Sequence, residues 1–313
     1  MDQKKFIDRT IQELTQFKGK LIISALSGGI DSAVASVLVN KAVGTKSLKC
    51  VYVDTGLMRM QDKDEVISFA KQFDLNLDVI DAKKTFFSAL KGIVDPEKKR
   101  KIIGKLFIKI FESKAKEFKA EYLVQGTIAP DWIESGVGRE TIKSHHNVGG
   151  LPEKMGLKLI EPLRDLYKHE VRDVAKALGF PSYMQRRQPF PGPGLAVRII
   201  GEVTEKRAEL VRKATKIIEE EIERTIPAEK LPWQYFAAYL PVRTVGVKGD
   251  ERAYNETILI RIVDSIDAMT ANFSHIDHAV LQKISTRITN ELPEVGRVLF
   301  DITNKPPATI EFE

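Results

Sequence analysis

The sequence predicts an α/β protein: a parallel, twisted sheet with helices on both faces, plus a smaller C-terminal α+β domain. Three observations carry that prediction. Short apolar runs alternate with helical periodicities through roughly the first 180 residues, the pattern of successive βα units. Residues 181–201 then pack four prolines and three glycines into one segment, a break in that alternation. Beyond it come longer apolar runs separated by long loops. The expected domains are therefore 1–195 and 196–313.

The elements follow in order. In FIDRTIQELTQFK, residues 5–17, Phe6, Ile7, Ile11, Leu14 and Phe17 stand near helical spacing, so the chain opens on an amphipathic helix. KLIISAL at 20–26 suits a buried strand and runs into SGGIDS, after which Ala33 to Asn40 reads as a helix. LKCVYVD is the next strand, ending in Asp54; a helix runs from 61–65 to Phe73, and LNLDVID at 75–81 is a further strand. The basic segment at 98–119 could serve nucleic acid. However, Ile102, Ile103, Leu106, Ile110 and Phe111 recur at helical intervals, and a helix with one buried and one solvated face accounts for the pattern. EYLVQGT at 121–127 and LKLIEPL at 157–163 are strands, and a helix over 165–178 closes at Gly179. Proline fixes its backbone and lacks a donor, so 189–194 is neither regular helix nor central strand. Helices near 204–226 and 276–292, apolar runs at 234–247 and 257–263, and a strand at 295–302 complete the chain. Within them WQYFAAYLPV looks exposed and apolar, a candidate dimer surface.

Composition narrows the chemistry. The 313 residues carry 49 basic and 43 acidic side chains, a formal net charge of +6. That suits anionic ligands such as nucleotides but does not argue for nucleic acid as a partner. No apolar run approaches the ~18 residues of a membrane span, and MDQKKFIDRT lacks the apolar core of a secretory signal, so no membrane association and a cytoplasmic location are expected. Cys50 is the only cysteine, which excludes an intrachain disulfide and a cysteine zinc cluster. Its apolar surroundings mark it as a core thiol.

The strongest single feature is Ser27-Gly28-Gly29-Ile30-Asp31-Ser32, a two-glycine turn between a buried strand and a helix. Helix N-terminal amides are unpaired and carry partial positive charge, so the position attracts phosphate. Glycines permit close approach, and two serines add hydroxyls. Asp31 makes sense in such a cradle chiefly through a magnesium ion that bridges a phosphate. The turn is neither a Walker A motif nor a dinucleotide fingerprint; the bland alternative is a tight turn with Asp31 as a helix cap.

SGGIDS resembles the pyrophosphate loop of the N-type ATP pyrophosphatases, whose fold is the adenine nucleotide alpha hydrolase-like one. VDTGLMR, QGTIAPDWIES, TIKSHHNVGGLP, LIEPLRDLYKHEVR, RRQPFPGPGLAVRIIGEVT and DITNKPPATIEFE are similar to segments of the GMP synthase family within it, over about residue 20 to 313. The resemblance implies a ligase that adenylates XMP with ATP and magnesium, after which ammonia displaces AMP. It implies that Ser27, Gly28, Gly29, Asp31, Ser32, Asp54, Gly126 and Thr127 bind ATP, with Asp31 on the metal. Asp31, Lys143 and His146 are the implied catalytic groups, Lys143 as a mobile-loop cation and one of His145 and His146 in proton removal from ammonia. Asp131, Glu134, Gly192, Gly194, Arg287, Lys305 and Glu311 are the implied XMP residues. For Asp54 a helix cap is the alternative. Asp131 and Glu134 could instead hold magnesium or cap a helix, and a salt-bridge role is open for Arg287 and Arg297.

Many members of that family carry a glutamine amidotransferase domain with a Cys-His-Glu triad. The expectation here is a separate amidotransferase subunit, as in archaeal members, together with a homodimer formed through the region after residue 200. Three other readings stand beside this one. An RNA-adenylating enzyme would bring a basic RNA surface. NAD synthetase shares the loop but has no need of PFPGPGL and KPPATIE. A non-catalytic nucleotide-binding partner would not need Asp31 and Lys143.

Overall fold

A computed structural model describes residues 2–129, 156–248, 251–266 and 268–313. By their internal contacts the residues fall into two units, one of 1–54, 61–82 and 104–187, the other of 55–60, 83–103 and 188–313.

The first unit is built on α1 (Gln3–Leu14), β1 (Ile22–Ala25), α2 (Ile30–Val43), β2 (Leu48–Asp54), α3 (Asp62–Gln72) and β3 (Asn76–Asp81). After α4 (Lys83–Leu90), which belongs to the second unit, come α5 (Pro96–Phe118), divided between the two, then β4 (Tyr122–Val124), β5 (Lys158–Ile160), α6 (Lys168–Ala177) and α7 (Ser182–Arg186). The five strands are all parallel, in the order β3-β2-β1-β4-β5. Central β1 and β2 are almost wholly buried, as a strand covered on both faces must be, while edge strand β3 has only half-buried and exposed residues. From β1 the chain winds one way to β2 and β3, then returns to lay β4 on the other side of β1. The carboxyl ends of β1 and β4 therefore flank the switch point, where open sheets of this kind bind ligands.

Helix α2 is apolar nearly all round, with Ala33, Val34, Ala35, Val37, Leu38 and Val39 buried. Such a helix needs cover on every side; β1, β2 and β4 supply it on one, α1 and α6 on another. Helix α1 starts at Asp2, whose carboxylate accepts from the Lys5 amide at 3.1 Å, and buries Phe6, Thr10 and Leu14; Ile7 and Ile11 are only half-buried. On α5 the buried apolar stripe is Ile103, Phe111 and Ala115, with Lys101, Lys105 and Lys109 in solvent.

In the second unit, α8 (Glu205–Thr225) packs on the long hairpin of β6 (Gln234–Lys248) and β7 (Glu251–Asp264). β8 (Asn272–Phe273), α9 (His278–Glu291) and β9 (Val295–Phe300) follow, β8 antiparallel and β9 parallel to β7. Most of the WQYFAAYLPV run is not an exposed surface. Tyr235, Phe236, Ala237, Ala238 and Tyr239 are all buried in this unit, because α8 covers the near half of β6. Exposed apolar side chains of this unit include Val242, at the end of that run, and Val245, Val247 and Tyr254 in the far half of the hairpin, with Ile266, Met269, Leu299 and Ile302 elsewhere. No described helix is long and apolar enough to cross a membrane.

Candidate nucleotide sites

In the first unit the turn after β1 forms as its residues dictate. Gly28 takes φ +82°, and Gly29 is the N-cap of α2, with no side-chain cap bond. The first helical hydrogen bond runs from the Ala33 amide to the Gly29 carbonyl at 3.1 Å, so the amides of residues 30–32 precede the ladder and face outward. The Ser27 and Ser32 hydroxyls meet at 3.2 Å, and Ser32 Oγ donates to the Gly29 carbonyl at 3.0 Å. Asp31 sits in the first turn, where the helix dipole favours an anion. Its Oδ2 pairs with Lys168 Nζ, whereas Oδ1 is buried with no hydrogen-bond partner among the described residues.

Lys168 falls within the LIEPLRDLYKHEVR segment, but nothing in its spacing singles it out as a site residue. The Tyr167 amide donates to Glu170 at 2.9 Å and starts α6 there, which puts Lys168 at the first helical position. A cation at a helix N-terminus works against the dipole, so the position calls for an anion: Asp31 here, or a phosphate. Arg187 likewise falls within the RRQPFPGPGLAVRIIGEVT segment without being singled out there. Its Nη1 donates to the Gly28 carbonyl at 2.6 Å, and Nη2 binds Asp62 and pairs with Glu65 at 3.0 Å.

The neighbouring predicted residues have clear positions. Gly126 follows β4, and a Cβ there would stand 2.8 Å from the backbone of Asp31 and Ser32; only glycine lets α2 begin so close. Thr127 Oγ1 donates to Glu161 at 2.6 Å. Asp54 ends β2, is buried, and has Lys63 Nζ at 3.7 Å. Asp131, Glu134, Lys143, His145 and His146 lie outside the described residues.

In the second unit, Glu311 accepts from Arg198 Nε and Nη2, both at 2.9 Å, and from Gln234 Nε2 at 3.0 Å. Arg198 is buried, and its guanidinium lies 3.8 Å from the centre of the Phe236 ring. Phe190 of the proline-rich segment stacks near both Arg59 and Arg198, at 4.7 and 5.1 Å. Gly192 is exposed in a turn. Gly194 has φ +64°, and a Cβ there would stand 2.3 Å from the Leu57 carbonyl, so backbone packing alone demands glycine. Lys305 Nζ donates to the Ala268 carbonyl at 2.8 Å. Arg287 on α9 pairs with Glu220, Glu221 and Glu291 at 2.7–3.0 Å, and these carboxylates raise its pKa, Glu291 foremost. Three carboxylates thus surround it, and a substrate phosphate would have to displace them. Arg297 Nε donates to Thr244 at 3.1 Å.

Among the described residues no group of three His, Cys, Asp or Glu could hold a metal. Burial pushes the Cys50 thiol up to about 12, so it is not a thiolate near neutral pH.

Residues 220–312 match the family model for the GMP synthase C-terminal domain, and residues 1–130 match that for NAD synthase. Along its whole length the chain is 59% identical to a GMP synthase [glutamine-hydrolyzing] subunit of Pyrococcus horikoshii, covering all of that protein. It is 56% identical to the same subunit of Methanocaldococcus jannaschii and 54% to that of Thermoplasma acidophilum, each over all of this chain and at least 99% of the relative.

Proposed function

From the premise that the chain belongs to this family of glutamine-hydrolyzing GMP synthase subunits, we propose that it adenylates XMP with ATP and that ammonia then displaces AMP to give GMP. The observation that carries this reading is the Ser27–Ser32 turn, with uncapped amides, two hydroxyls and Lys168 gathered around it. The exocyclic oxygen on the purine carbon of XMP is a poor leaving group. Its attack on the α-phosphorus of ATP forms one P–O bond and breaks another, releasing pyrophosphate. Ammonia then adds to the ring carbon, AMP departs with the oxygen, and the surplus protons pass to solvent. The turn's amides, Ser27 and Ser32 hold the departing pyrophosphate, and Lys168 can move from Asp31 to its charge. Asp31 would hold magnesium: a buried, unpartnered carboxylate oxygen suits an ion that keeps phosphate and water oxygens as its other ligands. When bound, that ion neutralises phosphate charge.

Within this reading residues 1–195 hold the ATP site and contribute Asp131, Glu134, Gly192 and Gly194 toward XMP, while 196–313 hold the XMP phosphate and dimerise. Asp54, Gly126 and Thr127 line the nucleotide side. Lys143 closes on phosphate, His146 takes a proton from ammonia, and Asp131 and Glu134 meet XMP. Lys305, with two ammonium protons beyond its bond to Ala268, takes the XMP phosphate. Gly192 and Gly194 shape the loop, and Glu311 supports the pocket. The relatives are named as one subunit of a glutamine-hydrolyzing enzyme, while Cys50 is buried, so a separate glutamine amidotransferase subunit supplies ammonia. Val242, Val245, Val247 and Tyr254 are the apolar surface for a homodimer. The enzyme works in the cytoplasm, where ATP is available, without nucleic acid or membrane as partners.

The test is to supply the purified chain with XMP, ATP and magnesium, and either an ammonium salt or glutamine. GMP is expected from ammonium and not from glutamine; equal turnover with glutamine would sink the two-subunit reading.

A further inference from the structure

We propose that Arg187 is a positioning residue for the phosphate loop: it fixes the orientation of the Gly28–Gly29 peptide, so that the loop presents amides to an anion, without binding the anion itself. The proposal rests on the reading of that loop as the ATP site.

The loop has an intrinsic weakness. Neither Gly28 nor Gly29 has a Cβ, so the peptide between them can turn over at little cost. In a planar trans peptide the carbonyl and N–H point in opposite directions. One orientation offers phosphate a donor; the other offers it a carbonyl oxygen. Arg187 selects between them. Its Nη1 donates to the Gly28 carbonyl at 2.6 Å, which turns the Gly29 N–H the other way. There it finds Ser27 Oγ at 3.4 Å, beside the Ser27–Ser32 hydroxyl pair.

Arg187 is itself held. Nη2 binds Asp62 and pairs with Glu65 at 3.0 Å, both in the first turn of α3, where the dipole favours carboxylates. The Arg187 side chain is 16% exposed and that of Asp62 4%. A guanidinium flanked by two carboxylates has little charge to offer a phosphate, so its contribution is geometric. Its planar fork can reach a carbonyl and a carboxylate together, which the single point charge of a lysine cannot reproduce. The packing leaves no slack either: a Cβ on Gly28 would stand 3.0 Å from Arg187 Nη1.

The test is XMP-dependent exchange of labelled pyrophosphate into ATP by the full chain, for Arg187→Ala and Arg187→Lys. Both variants are expected to raise the KM for ATP by about tenfold or more, roughly the value of one charge-assisted hydrogen bond, while the KM for XMP holds. Millimolar guanidinium should restore ATP binding to Arg187→Ala, and ethylammonium should not. A wild-type KM for ATP in either variant overturns the proposal. So does a loss in Arg187→Ala that tracks a fallen melting temperature and is not rescued by guanidinium. Should Arg187→Ala not fold, Arg187→Lys decides, because it keeps the charge facing Asp62 and Glu65. Absence of exchange in the wild-type chain would overturn the site reading and this proposal together; failure of the variants alone would overturn only the proposal.

Discussion

The turn at 27–32 and the segment at 301–313 are both glycine- or proline-marked and rich in polar groups, yet they use those groups differently. In the C-terminal segment nearly every charge is matched within its own unit. Glu311 is bonded to Arg198 and Gln234, and Arg261 reaches the Thr303 and Thr309 carbonyls and Asp301. Glu313 is gripped by Lys99, Arg100 and the Gly201 amide, and Ile310 joins Phe236, Val263 and Ala271 in the core. At the turn, by contrast, the helix is uncapped, one buried Asp31 oxygen is orphaned, and Lys168 stands against the helix dipole. A saturated polar network holds a fold together; a half-satisfied one is completed by a ligand. On the proposed reading the C-terminal segment contributes stability and the turn the chemistry, with Lys305 as the group that crosses between the two categories.

The largest expected effect is therefore structural. Glu311→Ala leaves Arg198 charged, buried and uncompensated, and should cost about 3–5 kcal/mol of stability in urea unfolding. A loss under about 1 kcal/mol would break the contrast, since that is what a surface pair costs. Asp31→Asn should do the opposite. The amide still fits the first turn, and the partly exposed pair with Lys168 is worth at most about 1 kcal/mol. Turnover at limiting magnesium should nevertheless fall about 100-fold, the scale of losing one electrostatic contact to the transition state. A stable variant with near-normal turnover would remove Asp31 from the chemistry.

Much of this was legible in the sequence, because local chemistry decided it. The alternation of short apolar runs and helical periods located the five parallel strands, and the SGG turn stood out as a break between strand and helix. What was not legible depends on distant partners. Lys168 lies 137 residues from Asp31 and Arg187 lies 159 from Gly28, and neither separation leaves a periodic trace. WQYFAAYLPV is misread as surface because an apolar strand does not state what covers it. Gly194 looks like a ligand contact, but the Leu57 carbonyl already requires a glycine there. Lys99 sits in a basic helix like any solvated lysine, yet it is fully buried against Glu313 and the Ile199 carbonyl, and burial lowers its pKa.

The smallest perturbation tests the central claim most directly: that XMP and ATP are held by separate groups of the chain, with the XMP phosphate on the C-terminal segment. Lys305→Ala removes one ammonium and its bond to the Ala268 carbonyl, and leaves the backbone, Ile310 and Glu311 in place. Stability should fall by about 1 kcal/mol, a shift of only a few degrees in melting temperature. Calorimetric titration should then give XMP affinity weakened by about tenfold, the loss of one charge-assisted contact to phosphate, with ATP binding unchanged. Unchanged XMP affinity would contradict the account, leaving the C-terminal segment purely structural and the XMP phosphate site elsewhere.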